Sequence, residues 1–444
     1  MSMTRKHLLT LLLIITLSAG SLFGQAYFKY MGLETISKNT ARSLALGGNN
    51  LALEQNPVAG LNNPAMLYKA SDALVVYSNL NMASFIERRS FPVQDSFGDY
   101  LAENDYVSNR YSRMEGDLAM YYSREGFSAS AGWYSLENFN YDYQEEIRSD
   151  LGSGAYIRDP LAGYHKINFS GMTHGLNLAL AHDIGKRFAV GYAYTHYFGS
   201  GFEEGFGVIP ILNDPKLSSS DTTYFPATPT NGTGSNVNLG LTAKVTDRLQ
   251  LGLSTTLAGI YTMEGTHMIA GMDSSLMLPA YSVDADSSYK VIIDRPNTYS
   301  LSLRYIPNNE LKTTLYAQFD ITDWSSYAAL YFDSADSMVS SFSPDYTPSW
   351  VLRAGIEHVF FTGVPLRFGF TYEKNPMNND MNRSTINMGS GWSSDNLTLD
   401  IGILIYQNMY YYSDLFPVAD EVRTTLDKVK ENGLRVNVSL SYAF

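Results

Sequence analysis

The last twelve residues, Gly433 to Phe444 (GLRVNVSLSYAF), decide how the rest of the chain is read. In an extended strand, Leu434, Val436, Val438, Leu440, Tyr442 and Phe444 fall on one face, and Arg435, Asn437, Ser439, Ser441 and Ala443 on the other. Aliphatics with an aromatic end on one side, polar and small residues on the other, suit a wall between lipid and a wet lumen. If one strand is such a wall element, the pattern has to recur along the chain.

It recurs. Fourteen alternating segments lie at roughly 71–84, 114–124, 126–137, 171–184, 186–199, 235–246, 248–263, 298–307, 312–323, 349–360, 364–374, 384–393, 395–406 and 433–444. Val237, Leu239, Leu241 and Ala243 alternate with Asn238, Gly240, Thr242 and Lys244; Leu366, Phe368, Phe370 and Tyr372 alternate with Arg367, Gly369, Thr371 and Glu373. The connections also sort by length. Short turns at Glu125-Gly126, Gly185-Lys186, Asp247-Arg248, Asn308-Asn309, Thr362-Gly363 and Asp395-Asn396 take turns with long stretches such as 138–170, 200–234 and 264–297. Strict alternation of tight turns and long loops over an even strand number is the outer-membrane arrangement, and a soluble sandwich has no reason to adopt it. The reading is all-β: a transmembrane antiparallel β-barrel of about 14 strands over residues 71–444, closed by pairing the first strand with the last, because lipid cannot satisfy an open edge.

Composition agrees. The 444 residues include 33 Tyr and 35 Gly and no Cys, and the formal net charge is −13. Absent Cys excludes disulfides, thiolate metal sites, a Cys nucleophile and a lipid-anchored Cys; the acidic balance argues against nucleic acid. Residues 1–26 read as an export signal, with Arg5, Lys6 and His7 ahead of the apolar run Leu8 to Leu17 and a small-x-small site at Gly24-Gln25-Ala26. That places the barrel in a Gram-negative type outer membrane, among lipid and lipopolysaccharide. Residues 27–70 do not alternate and are rich in small residues. About fourteen strands enclose more space than wall side chains fill, so this segment is expected to plug the lumen.

The sequence carries no catalytic constellation, so no enzymatic activity, cofactor or metal is expected. The seven His residues form no H-E-x-x-H or close ligand pair, and there is no G-x-S-x-G elbow. Inward-facing Lys244, Arg304, Arg353, Arg367 and Arg435 are candidate lumen cations, with Asp320, Glu357 and Glu373 as partners; pairing within the wall is the plainer reading of each. Apolar clusters occupy two long connections: Phe206, Val208, Ile209, Ile211 and Leu212 in one, Met268, Ile269, Met272, Leu276, Met277 and Leu278 in the other. These are expected to form a hydrophobic groove or to pack together as a cap.

In this setting Ala41-Arg42-Ser43-Leu44-Ala45-Leu46-Gly47-Gly48, Asn63-Pro64-Ala65 and Asp323-Trp324-Ser325, with Thr246-Asp247-Arg248-Leu249 and Leu397-Thr398-Leu399-Asp400, resemble in order the FadL-type outer-membrane transporters of long-chain fatty acids and other hydrophobic compounds. The resemblance implies capture of a hydrophobic small molecule by the outer loops and entry into a lumen pocket. It also implies lateral release beside a kinked third strand, with a plug gating the route. Gly47, Gly48, Asn63, Pro64 and Ala65 are then plug and gating residues, and Gly126 and Gly132 mark the candidate lateral-opening strand. By resemblance to outer-membrane proteins that end in Phe, Tyr442 and Phe444 form the signal read by the barrel-assembly machinery. Similar motifs occur in barrels of type IX protein secretion, so a role with secretion-system proteins is the alternative. A general diffusion porin fits less well, since a plug and apolar loops obstruct solute flow.

Overall fold

The computed structural model describes residues 38–53, 58–69, 74–95, 97–148, 161–199, 203–210, 223–226, 231–265, 269–273, 278–281, 289–308, 312–333, 335–343, 345–377, 379–412 and 426–444. The expected export signal and the first part of the expected plug lie outside them. Fourteen wall strands follow one another: β1 (Leu74–Gln94), β2 (Tyr100–Arg124), β3 (Phe127–Asn138), β4 (Met172–Ile184), β5 (Phe188–Gly199), β6 (Asn231–Lys244) and β7 (Leu249–Thr256). The second half comprises β8 (Thr298–Tyr305), β9 (Lys312–Thr322), β10 (Ser349–Val359), β11 (Pro365–Glu373), β12 (Arg383–Ser393), β13 (Leu397–Tyr412) and β14 (Asp427–Ala443). Each pairs antiparallel with its sequence neighbour, and β1 closes on β14 from Val75 opposite Ala443 to Ser90 opposite Lys428. The N–H of Phe444 adds one more bond to the seam, 2.9 Å to the carbonyl of Leu74.

The wall is apolar outside and polar or small inside. On β4, Leu176, Leu178 and Leu180 are about half exposed, at 51%, 62% and 50%, while Asn177, Ala179 and Ala181 are buried. A surface this apolar is stable only against lipid.

Two features exceed the sequence expectation. The alternating segments 71–84 and 114–124 are parts of strands of 21 and 25 residues, and β13 and β14 run 16 and 17. These four raise one side of the barrel well beyond the lipid belt. There the outer face has no need to be apolar, so alternation fades although pairing continues. The long connections also carry sheets of their own. Tyr141–Arg148, Leu161–Ser170, Glu203–Pro210 and Thr223–Pro226 form one, and Ile269–Asp273 pairs with Leu278–Tyr281. Phe206, Val208 and Ile209 therefore lie on a strand, and Ile269, Met272 and Leu278 on a hairpin, rather than in irregular loop. Ile211, Leu212, Met268, Leu276 and Met277 lie outside the described residues.

Inside the barrel, residues 38–53 and 58–69 fold as α1 (Ala41–Ala45), α2 (Ala59–Asn62) and a 3-10 turn at Pro64–Lys69. Thr40 caps α1, its side chain accepting the N–H of Ser43 at 3.0 Å. Helices this short have little stability alone; wall contacts hold them. Ala59, Met66 and Leu67 pack on Val75, Tyr121, Ala179, Ala181 and Ala193 of the wall, and Leu46 and Leu53 on Tyr316.

Candidate lumenal site

The small-residue motifs of the plug are seated on glycines of the wall. Leu46 and Gly47 press on Gly355 and Gly369, where a Cβ on Gly355 would stand 2.6 Å from the Leu46 carbonyl oxygen. Gly47 has φ +73° and itself meets the carbonyls of Ala354 and Phe370, so both partners in the contact need to lack a side chain. On the opposite wall, Asn63, Pro64 and Ala65 lie against Gly191 and Gly240. Polar side chains complete the seat. Asn387 donates to the carbonyl of Leu44 at 2.8 Å, Thr371 to that of Gly47 at 2.8 Å and Asn238 to that of Leu61 at 2.7 Å. Asn63 is fully buried; its amide donates to the Leu51 carbonyl at 2.9 Å and its oxygen accepts the N–H of Ala65 at 3.2 Å. Gly48 stands beside the Arg353 guanidinium.

Charges pin the plug as well. Glu357 joins Arg42 of α1 at 2.7 Å to Arg367 of β11 at 2.6 Å, and Arg367 reaches Asp400 at 2.6 Å. Arg353 pairs with Asp320 at 2.9 Å. Of the cations expected in the lumen, Arg353 and Arg367 are thus bound within the wall, and Arg304 lies in hydrogen-bonding reach of Tyr316. Arg435 acts on Glu115 through charge. Lys244 is different: it bridges Asp247 at 3.1 Å in a short turn, at the rim rather than inside. Glu373 pairs with Arg383 at 2.6 Å.

The third strand carries an irregularity, and neither of its expected glycines produces it. Gly126 belongs to the β2–β3 turn, at φ +80°, where Glu125 also has positive φ. Gly132 stays in register between Ala119 and Asn177, its missing side chain leaving room for the Tyr134 ring. The register shifts between Ser135 and Glu137. Inward positions up to that point are even: Ser128, Ser130, Gly132 and Tyr134. Past the bulge Glu137 stands opposite the inward residue Thr173, so the extra residue turns a side chain that regular alternation would aim at lipid into the lumen.

At the same height the β2–β3 ladder ends, with Asp117 opposite Tyr134. The next N–H, that of Ser135, is received by the Asp117 carboxylate at 3.1 Å, and the Ser135 hydroxyl donates to the Gly116 carbonyl at 3.0 Å. Lys38, at the start of the described plug, lies 3.1 Å from Glu115 and 3.6 Å from Asp117. The plug is thereby tied by charge to the point where the wall ladder stops.

Toward the long-loop end, Arg295 from the connection before β8 reaches across to Glu137, its Nη2 donating to both carboxylate oxygens at 2.7 and 2.6 Å. Beside it lies a cavity of about 40 Å³ lined by Tyr197, Asn236, Leu257, Arg295, Pro296 and Trp324. The buried Tyr197 hydroxyl and Arg295 Nε have no protein partner among the described residues. Sequence reasoning missed both Arg295, which sits in a long connection without periodicity, and Glu137, which the alternation assigns to the wrong face. The bulge leaves no sequence signal that could have corrected this.

The wall of fourteen strands thus encloses a plug seated on its glycines, with the strand-three bulge beside the plug's anchor. The family described as outer membrane protein transport protein (OMPP1/FadL/TodX) matches residues 125–409. The chain belongs to this family. Its members are transport channels, so the expectation of a barrel that conducts hydrophobic compounds rather than an enzyme is the family's own. Among solved structures, a Pseudomonas aeruginosa FadL homologue superposes with TM-score 0.65 at 16% identity, covering 93% of this chain and 99% of that one. The P. putida toluene transporter TodX gives 0.60 at 14%, covering 92% and 99%. The Ralstonia pickettii toluene transporter TbuX gives 0.59 at 14%, also covering 92% and 99%. At these identities the likeness is one of fold. No curated protein matches in sequence.

Proposed function

We propose that this outer-membrane channel takes up hydrophobic compounds that carry an acidic or hydrogen-bonding head, long-chain fatty acids among them, and releases them sideways between β2 and β3. The observation that carries the reading is the pair of unsatisfied buried donors, Arg295 Nε and the Tyr197 hydroxyl, facing one small cavity. Buried donors without an acceptor are costly, so an arriving carboxylate or hydroxyl gains from meeting them. A plain hydrocarbon gains nothing there. The cavity has room for a head group and not for a chain, so the chain must lie elsewhere in the lumen once the Arg295–Glu137 contact opens.

The place where the ladder stops supports lateral release. Beyond Asp117 and Tyr134 the wall at β2–β3 is held by side chains, and a side-chain bond is more easily exchanged than a ladder of backbone bonds. An apolar ligand leaving there passes directly into lipid. Lys38 gives the plug a handle on that opening.

The test is binding and uptake with matched ligands. Purified barrel is titrated with a long-chain fatty acid, its methyl ester and toluene, and uptake of each is measured in a deletion strain. Preference for the free acid, with lowered uptake on deletion, supports the proposal. Equal affinity for toluene overturns the head-group reading, and normal uptake together with loss of a secreted surface protein transfers the barrel to type IX secretion.

A further inference from the structure

The four tall strands carry a basic strip on the outer face, directly above the apolar belt. By alternation the outward positions of β1 run Leu74, Val76, Ser78, Leu80, Met82, Ser84 and Ile86, the last of them covered by its neighbours at 2% exposure, and the next is the exposed Arg88. On β14 the same count back from Phe444 passes Tyr442, Leu440, Val438, Val436, Leu434 and Asn432, and arrives at Lys430 and then Lys428. On β2, exposed Leu118 and Met120 give way at Met114 and Ser112 to exposed Arg110. Register puts the cations side by side: Arg88 stands opposite Lys430, which stands opposite Met409, and Lys428 stands opposite Tyr411.

Like charges directly opposite on paired strands repel and need an anion between them. Within the protein the supply is short. Glu103 contacts both Lys428 and Lys430, the latter at 3.3 Å, while Arg88 and Arg110 have no partner among the described residues. Two arginines and two lysines thus share one contacting carboxylate, in a chain whose net charge is −13. General basicity does not explain the strip; its position does. It occurs one or two outward positions past the last apolar outward residue on three consecutive strands, directly on β1 and after a single polar residue, Asn432 or Ser112, on β14 and β2; it lies at the end of the barrel with the long loops, which faces the cell exterior in this architecture.

We infer that this strip is a binding site for the phosphates of an outer-leaflet glycolipid, whose acyl chains run from Met409, level with Lys430, down along Ile405 and whose phosphates meet Arg88, Arg110, Lys430 and Lys428. Both Met409 and Ile405 are exposed on the same face, at 53% and 44%. The site lies on the barrel exterior, apart from the lumen, and rests on the outer-membrane placement of the family rather than on the choice of transported ligand. Arginine forks suit phosphate oxygens, and long basic side chains at a lipid boundary extend their heads to that level.

The experiment compares retained lipid after extensive detergent exchange of the full-length barrel, using bisphosphorylated lipid A, its dephosphorylated form, phosphatidylglycerol and inorganic phosphate as probes. Selective retention of bisphosphorylated lipid A is expected. It should fall about tenfold or more in the Arg88→Gln/Arg110→Gln/Lys430→Gln variant and rise in Glu103→Gln, which removes the competing anion. The opposite responses of the two variants separate loss of a site from general damage to the wall. Equal retention of the dephosphorylated lipid, equal retention of phosphatidylglycerol, binding of free phosphate alone, or no change in either variant overturns the site.

Discussion

Asp117 receives the backbone N–H of Ser135 at 3.1 Å, where the next carbonyl of the β2–β3 ladder would otherwise stand. The same carboxylate accepts from Asn79 at 2.9 Å and lies 3.6 Å from the Lys38 ammonium. One side chain therefore joins the end of the β2–β3 ladder to the plug. Asp117→Ala is expected to leave the Ser135 N–H without its acceptor, at a cost of about 1–3 kcal/mol. Amide exchange should quicken at Ser135 to Glu137 and stay slow across β10 to β12; uniform exchange would mean that Asp117 holds nothing locally.

Lys38→Met tests the plug's part separately. It removes the cation from Glu115 and Asp117 and keeps the length of the side chain. The expected outcome is a barrel that assembles normally and transports at a changed rate. Assembly failure would make the contact structural instead.

A side chain on the wall glycines should dislodge the plug and spare the wall. Gly369→Val and Gly240→Val each place atoms where Gly47 or Asn63 now sits, and overpacking of this kind costs roughly 1–3 kcal/mol or more. Single-channel recordings in planar bilayers should register larger conductance than the parent protein, while heat-modifiable migration on gels stays intact. Asn63→Ala, which loses two hydrogen bonds within the plug, is expected to act in the same direction more weakly.

Arg295→Gln addresses the head-group contact. A hydrogen bond to a charged group is worth about 1.5–3 kcal/mol, so affinity for a free acid should fall roughly tenfold to a hundredfold, with the methyl ester little affected. Isothermal titration with the two ligands would reveal the difference. Equal loss for both would mean that the substitution deforms the lumen.

Glu103 supplies a pH test on the exterior. Hydrogen bonding from Lys428 holds its carboxyl below the ordinary carboxylate range. A depressed carboxyl stabilises the folded state above its unfolded value, and this contribution disappears as pH falls through the lower folded value. The tie between β2 and β14 should persist through mildly acidic conditions and be lost only below the usual glutamate range. Glu103→Gln should abolish that pH dependence in amide exchange around Lys428 and Lys430.

The lipid-facing wall was legible from sequence because both of its determinants are local. A strand's side chains alternate by geometry alone, and lipid demands that every second residue be apolar, so Leu176, Leu178 and Leu180 announce their face whatever surrounds them. Turn and loop lengths supplied the strand order, and the seam needed only the requirement that no edge remain open. Where Tyr442 and Phe444 end that seam they stack edge-on at 4.8 Å.

Tertiary structure alone decided the interior. The plug's motifs are short runs of small residues, and nothing in Gly47 or Asn63 names Gly369 or Gly240 as its seat. The one-residue slip between Ser135 and Glu137 reversed a face assignment that periodicity made with the rest of the strand. It brought Glu137 to Arg295 from a distant connection, and residues 85–94 and 100–104, outside lipid, pair without the alternation that would have marked them. Contact with a bilayer imposes a repeating chemical rule on sequence; contact between two protein surfaces asks only that shape and charge match at one place.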